Sequence, residues 1–107
     1  MIISTQESFE EDIKAPLVLV DFFAHWCGPC RMLTPVLEQA KAHYGDKLRI
    51  IKVNADTNPD LCLKFGVRVL PTLVLLRDGK TEAFTVGALV FNQLTAWLDP
   101  FTDAVNN

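Results

Sequence analysis

The strongest chemical signal in this sequence is a pair of cysteines separated by two residues, in the run Trp26-Cys27-Gly28-Pro29-Cys30. At the start of a helix, two thiols with this spacing share one face, so their sulfurs can meet in a reversible disulfide. Unpaired N–H groups and the positive end of the helix dipole stabilise a thiolate at the exposed tip. We therefore expect Cys27 to be the nucleophile and the more shielded Cys30 to be the resolving thiol.

The two residues between the cysteines tune the expected redox chemistry. Gly28 and Pro29 carry no charged or imidazole group, and Pro29 has no backbone N–H to offer the sulfur. A thiolate that is only moderately stabilised makes the dithiol a better reductant, which favours disulfide reduction. The alternative is a zinc site, but zinc usually takes four ligands, and only Cys62, His25 and His43 remain to complete one.

The pattern of apolar residues places the cysteines directly after a central strand. Ser4-x-x-Glu7 has the form of a capping box and predicts a short helix after a brief first strand. Leu17–Phe23 is apolar except for Asp21, which is typical of a strand buried on both faces. From Gly28 to Tyr44 apolar residues recur at helical spacing, which predicts the longest helix.

The rest of the chain continues the alternation of strands and helices. The predicted elements are a strand at residues 48–54, a helix at Pro59–Phe65, strands at Thr72–Arg77 and 81–86, and a helix around Leu94, Trp97 and Leu98. Asp78-Gly79 suits a tight hairpin turn, and Asp99-Pro100 should interrupt or end the last helix. This order predicts an α/β fold, with a central five-stranded mixed sheet flanked by helices on both faces.

Length and composition limit the kinds of partner. A chain of 107 residues, 50% of them hydrophobic, has the size of a single domain, which we place at residues 1–107. The net charge of −3 gives no indication of a basic surface that would bind nucleic acid. The apolar run in Leu17–Phe23 is far shorter than the roughly 20 residues needed to cross a bilayer, so we expect no membrane span.

Cysteine usage and the amino terminus bear on the compartment. Three cysteines cannot form a fully paired disulfide framework, which favours a reducing compartment. The first residues lack the basic and apolar regions of a secretory signal. We expect a cytoplasmic protein, or one in another reducing compartment, such as an organelle stroma, after removal of a transit segment.

Several motifs together resemble the thioredoxin family over nearly the whole chain. They are residues 20–30, Pro35, Lys52-Val53-Asn54-Ala55-Asp56, Leu70-Pro71-Thr72 and Val86-Gly87-Ala88. The resemblance implies the thioredoxin fold and a general protein-disulfide reductase that acts as a dithiol electron carrier in cell redox homeostasis. It also implies no bound cofactor, disulfide-containing protein substrates, and recycling by an NADPH- or ferredoxin-dependent thioredoxin reductase. We expect the protein to be a monomer.

The resemblance also implies roles for individual residues. Asp21 becomes the acid/base beneath the dithiol that takes the proton of Cys30, with Lys52 as the partner of its carboxylate, whereas a purely structural ion pair is the alternative. Pro71 becomes a cis-proline facing the dithiol. The residues that resemble the apolar surface of the family for substrate contact are Trp26, Val69, Leu70, Pro71, Gly87 and Ala88. A rival function is a binding or assembly module that uses this surface, with the dithiol incidental.

Four other residues have more than one interpretation. His25 either favours the Cys27 thiolate, making the couple more oxidising, or is an exposed loop residue. Cys62 is expected to be a small buried hydrophobe, with redox regulation as the alternative. Val90 and Phe91 are expected to pack at the start of the last helix, and an added contact surface is the alternative.

Overall fold

The computed structural model describes residues 1–105, and the five strands in this range form one mixed sheet. The strands are β1 (Ile2–Ser4), β2 (Leu17–Phe23), β3 (Arg49–Asn54), β4 (Thr72–Arg77) and β5 (Lys80–Val86). The helices are α1 (Phe9–Asp12), α2 (Gly28–Tyr44), α3 (Pro59–Phe65) and α4 (Phe91–Val105). The strand order is β1-β3-β2-β4-β5, with β3 parallel to β1 and β2, and β4 antiparallel to β2 and β5.

The central strand β2 supplies side chains to a core on each side of the sheet, because successive residues of a strand point to opposite faces. On one face, Leu17 and Leu19 pack in a buried cluster with residues of α2 and α4, including Leu33, Leu37, Leu94 and Leu98. On the other face, Val18, Val20 and Phe22 pack with Phe9 of α1 and Leu61 of α3. The predicted α/β fold, with helices on both faces of a five-stranded mixed sheet, is confirmed.

The hairpin between β4 and β5 turns at the predicted dipeptide. Asp78 and Gly79 both have positive φ, at 51° and 81°, as a two-residue hairpin turn requires. Asp78 also donates its backbone N–H to the carbonyl of Pro16 at 3.0 Å. This bond ties the turn to the residue that precedes β2.

The predicted capping box at Ser4 and Glu7 is wrong. Ser4 is the last residue of β1 and is paired in register with Val53 of β3, so its backbone is held in the sheet. The turn before α1 is built instead by Thr5 and Ser8, whose amides and hydroxyls bond reciprocally at 3.0 and 3.3 Å. Helix α1 therefore begins only at Phe9.

The prediction that Asp99-Pro100 interrupts or ends the last helix is also wrong, because α4 continues through Pro100 to Val105. Leu98 and Thr102, on either side of the proline, are both buried, and Leu98 packs in the cluster that includes Leu19 of β2. The Arg77 guanidinium donates to the carbonyl of Phe101 at 3.1 Å. We infer that packing outweighs the hydrogen bond that proline removes from a helix interior.

The first turn of α4 is capped by glutamine. Gln93 accepts the backbone N–H of Val90 on its side-chain oxygen at 3.1 Å, which is one half of a capping box. Phe91 packs its ring edge-on against His43 with centroids 5.7 Å apart, as expected for packing at the helix start. Val90 departs from that expectation because 59% of its surface is exposed.

Candidate active site

The two cysteines of the motif are joined in a disulfide at the start of α2. Their Cα atoms lie 5.3 Å apart. Cys27 is the N-cap residue of the helix, and its sulfur accepts the backbone N–H of Cys30 at 3.2 Å. The predicted strand-to-helix placement of the dithiol is therefore confirmed.

The expectation that Cys27 lies at an exposed tip is wrong for the disulfide form. Only 4% of Cys27 and 2% of Cys30 are exposed. Phe23 and Ala24, which end β2, form one buried cluster with both cysteines, and Leu70 packs against it. Little of the disulfide is therefore open to solvent in this form.

The two residues between the cysteines project away from the core. Gly28 is partly exposed and Pro29 is exposed. A Cβ atom built on Gly28 would meet only the Arg31 guanidinium within 4 Å, at an ordinary contact distance of 3.8 Å. Substitutions at these positions therefore act on the sulfurs without disturbing the packed interior.

Asp21 is a fully buried carboxyl group in the sheet beneath α2. Its neighbours on the same face of β2 are Leu19, which packs with Leu33, and Phe23, which packs with the cysteines. Among residues 1–105, neither carboxyl oxygen of Asp21 has a hydrogen-bond partner. Burial raises the pKa of Asp21 to about 7, and the charge of Lys52 offsets part of that rise. A carboxyl group with this pKa exchanges protons near neutral pH.

Lys52 stands beside Asp21 but is not in direct ion contact with it. The two residues are register partners on β3 and β2, yet none of the ion pairs within 4.0 Å in the described part of the chain joins them. The ammonium donates instead to the Thr34 hydroxyl at 3.1 Å and lies 4.5 Å from the centre of the Phe23 ring. The interaction between Lys52 and Asp21 is therefore a longer-range attraction.

The peptide bond between Leu70 and Pro71 is cis, as the resemblance implied. Pro71 itself is buried, and its carbonyl accepts the backbone N–H of Gly87 at 2.9 Å. This bond holds the segment around Gly87 against the segment around the cis-proline. Gly87 has φ 93°, a conformation that favours glycine.

Of the predicted contact residues, Leu70 packs against the cluster that contains both cysteines, and the set differs in exposure. Trp26 is 70% exposed and Val69 is 54% exposed, whereas Leu70, Gly87 and Ala88 are partly buried. Within the described residues, the backbone N–H and C=O of Leu70 form no backbone hydrogen bond. They are therefore free to pair with an extended peptide laid beside the disulfide.

The indole of Trp26 is held in place by a residue whose role the sequence reasoning did not identify. Its Nε1–H donates to the Asp56 carboxylate at 2.9 Å. Trp26 and Val69 both line a cleft of about 450 Å³, and Cys62 forms part of its wall. Cys62 is only partly buried, so the expectation of a buried residue is wrong. This partial burial is still the main cause of the raised pKa of its thiol.

Thr34 and Asp56 are the site residues that sequence reasoning missed. Thr34 follows Cys30 by four residues, and this spacing puts two side chains on one face of a helix. The spacing alone could therefore have indicated that Thr34 lies near the dithiol. Asp56 stands in the run that carries the family resemblance, but no pattern linked it to Trp26. His25 is exposed, and its ring meets Phe23 edge-on with centroids 5.3 Å apart.

Residues 1–105 contain neither a cluster of metal-binding side chains nor a helix that could cross a membrane. No group of three or more His, Cys, Asp and Glu side chains is arranged to hold a metal ion. None of the described helices has the length and apolar character needed to cross a membrane.

Comparison with known proteins gives a consistent result. A family model described as Thioredoxin matches residues 1–100. The chain is 52% identical over 97 residues to a thioredoxin of Pseudomonas aeruginosa, with 89% of this chain and 90% of the relative covered. It is 48% identical over 97 residues to a thioredoxin of Acidithiobacillus ferridurans, with the same coverage. A thioredoxin of Allochromatium vinosum is 46% identical over 97 residues, which span 89% of this chain and 91% of the relative.

Proposed function

This chain belongs to the thioredoxin family of thiol-disulfide oxidoreductases, and we propose that Cys27 attacks the substrate disulfide while Cys30 resolves the mixed disulfide. The observation that carries these roles is the hydrogen bond from the Cys30 amide to the Cys27 sulfur at the N-cap of α2. This donor and the helix dipole stabilise negative charge on Cys27 in the reduced protein.

The proposed reaction transfers two electrons from the dithiol to the substrate. The Cys27 thiolate attacks one sulfur of a substrate disulfide, forming a mixed disulfide and releasing the other sulfur as a thiolate that takes a proton. Cys30 then loses its proton, and its thiolate attacks the Cys27 sulfur. The substrate leaves as a second thiolate, and the protein is left with the Cys27–Cys30 disulfide seen in the structure.

We assign Asp21 as the base that takes the proton of Cys30. Its carboxyl is buried on the face of β2 from which Phe23 packs with both cysteines, and it has no hydrogen-bond partner in residues 1–105. Its pKa of about 7 leaves it partly ionised at neutral pH, so it can accept one proton in the resolving step and return it later. A bridging water is expected to carry the proton, and Lys52 supports the carboxylate through its charge.

The proposed substrate is an extended peptide segment next to a disulfide. The exposed ring of Trp26 and the exposed side chain of Val69 offer apolar contact along the cleft. The backbone groups of Leu70, which form no backbone hydrogen bond within residues 1–105, offer main-chain hydrogen bonds that do not depend on substrate sequence. Both features suit weak binding of many unrelated proteins.

Members of this family exchange electrons with disulfide substrates and a reductase. We propose that the electron donor here is an NADPH- or ferredoxin-dependent thioredoxin reductase, that the protein acts as a monomer, and that it works in the cytoplasm or another reducing compartment. The absence of charge or imidazole at Gly28 and Pro29 supports a reducing role. A reduction potential near the oxidising end of the known range, about −120 mV, would contradict that role.

The two cysteine roles are tested by matched serine variants. We expect Cys27→Ser to abolish reduction of insulin disulfides, and Cys30→Ser to accumulate a mixed disulfide with substrate that is visible on non-reducing gels. Trapping by Cys27→Ser instead of Cys30→Ser would reverse the assignment. If Cys27→Ser kept full biological activity, the protein would be a binding module with an incidental dithiol.

A further inference from the structure

Thr34 links Lys52 to the resolving cysteine through one hydroxyl group. The Lys52 ammonium donates to the Thr34 oxygen at 3.1 Å, and the same hydroxyl donates to the Cys30 carbonyl at 3.3 Å. The two bonds use the hydroxyl as both acceptor and donor. Thr34 therefore fixes where the ammonium lies relative to the first turn of α2.

The position of the ammonium is notable because a stronger partner stands beside it. Asp21 and Lys52 are register partners on adjacent parallel strands, so their side chains leave the same face of the sheet. The carboxyl group of Asp21 is buried with both oxygens unbonded in the described part of the chain. The ammonium nevertheless lies against Thr34 and the ring of Phe23.

We propose that Thr34 is a positioning residue that holds the Lys52 ammonium near Asp21 but out of direct ion contact with it. This inference rests on the proposed function, in which Asp21 accepts the proton of Cys30. A direct ion pair would stabilise the carboxylate and lower its pKa by about 1–3 units. Such a carboxylate would be a weaker base for a thiol, so restraint of the ammonium preserves proton transfer.

Among the residues that neighbouring elements place around Asp21, Lys52 carries the charge that acts on its carboxyl group. Thr34 sets the position of that charge. Strand β3 contributes Lys52 and strand β4 contributes Leu73, both as register partners of Asp21. Helix α2 contributes Cys27 and Cys30, which do not titrate while joined in the disulfide. Helix α4 contributes the buried apolar residues Leu94 and Leu98 to this face.

The test is the titration of Asp21 in the oxidised full-length protein, followed by the ¹³C chemical shift of its carboxyl carbon. Thr34→Val keeps the shape of the side chain but removes the oxygen, so the ammonium should turn to the carboxylate and lower the midpoint by about one pH unit. Thr34→Ser keeps the hydroxyl and should titrate as the wild type does. In a Lys52→Met background, Thr34→Val should cause no shift.

An unchanged or raised midpoint in Thr34→Val would overturn the proposal, as would a lowered midpoint that persists in the Lys52→Met background. Thr34→Ala provides a second variant without the hydroxyl and should lower the midpoint in the same direction. The readout needs no turnover, so it separates this proposal from the proposed function. If the rate of the resolving step failed to follow the Asp21 titration, the role of Asp21 as base would fail while the positioning by Thr34 stood.

Discussion

The backbone amide of Cys30 donates a hydrogen bond to the sulfur of Cys27 at 3.2 Å. An N-cap side chain ordinarily accepts from the second or third residue of the helix. Here the second residue is Pro29, which has no N–H, so the third residue supplies the bond. The helix backbone therefore stabilises a Cys27 thiolate with fewer donors than the position allows.

Replacing Pro29 with alanine should make the protein a weaker reductant. The new N–H can donate to the Cys27 thiolate, and one hydrogen bond worth about 1 kcal/mol raises the reduction potential by about 20 mV. The potential is measured by equilibration with a glutathione buffer. Pro59→Ala, at an exposed first-turn proline of α3, is the matched control and should leave the potential unchanged. A lower reduction potential in Pro29→Ala would contradict the view that a backbone N–H at position 29 stabilises the Cys27 thiolate.

Replacing Asp21 with asparagine should stabilise the protein at alkaline pH. The pKa of Asp21 is about 7 in the folded protein and 3.8 ordinarily, so the folded state binds more protons between these values. Stability therefore falls as pH rises through this window, by up to about 4 kcal/mol. The loss of stability is absent at pH values below the ordinary pKa of aspartate. It is complete above the pKa that Asp21 has in the folded protein.

Urea unfolding of the oxidised protein at pH 4 and pH 8 measures this effect. The advantage of Asp21→Asn over the wild type should grow between the two pH values. Asp46→Asn, which changes an exposed carboxylate, should follow the wild type at both. Parallel pH profiles for the wild type and Asp21→Asn would show that folding does not raise the pKa of the buried carboxyl.

The parts of this structure that the sequence predicts are those with long hydrophobic patterns. The strand Leu17–Phe23 and a helix from about Gly28 to Tyr44 are predicted correctly because each buries a continuous face, so that any shift would expose apolar surface. Helix α1 has four residues and too few apolar positions to define its start. Its first turn is instead fixed by local hydrogen bonds and the pairing of β1.

Contacts in the site were harder to predict than the identity of its cysteines. The interaction of Lys52 with Thr34 depends on the distance between β3 and α2, which is set by packing of the whole core. The family resemblance suggested a partnership of Lys52 with Asp21, and the register confirms that they are neighbours. The family resemblance does not reveal that the Lys52 ammonium donates to a threonine hydroxyl.

Removing the carboxylate of Asp56 should loosen Trp26 and weaken substrate binding. Without the hydrogen bond to Nε1, the exposed ring must be ordered when a substrate binds, at a cost of about 0.7 kcal/mol. We expect Asp56→Ala to raise the KM for insulin about threefold with little change in kcat. Asp56→Asn keeps an acceptor oxygen and should stay near the wild-type value. Equal KM values in all three proteins would mean that the ring position is fixed by other contacts.

Replacing Tyr44 with phenylalanine should destabilise the protein without changing its redox chemistry. The Tyr44 hydroxyl donates to the Asp99 carboxylate at 2.7 Å and joins the end of α2 to α4. Burial and the Asp99 charge raise the pKa of this phenol, so it stays a donor across the neutral range. Loss of the bond should lower the free energy of unfolding by about 1.5 kcal/mol.

Urea unfolding and the reduction potential test this pair together. Asp99→Asn retains an acceptor oxygen and should lose less stability than Tyr44→Phe. The potential should match the wild type in both variants, because the contact lies at the opposite end of α2 from the sulfurs. A changed potential would reveal a coupling along the helix that the contacts do not predict.

The open surroundings of the two residues between the cysteines have an evolutionary consequence. A side chain added at Gly28 meets only the Arg31 guanidinium, and Pro29 faces solvent, so both positions accept many amino acids at little cost in folding. Mutation there acts on the affinity of the couple for electrons and leaves the scaffold intact. Evolution can therefore change the reduction potential at these two positions while the packed interior stays the same.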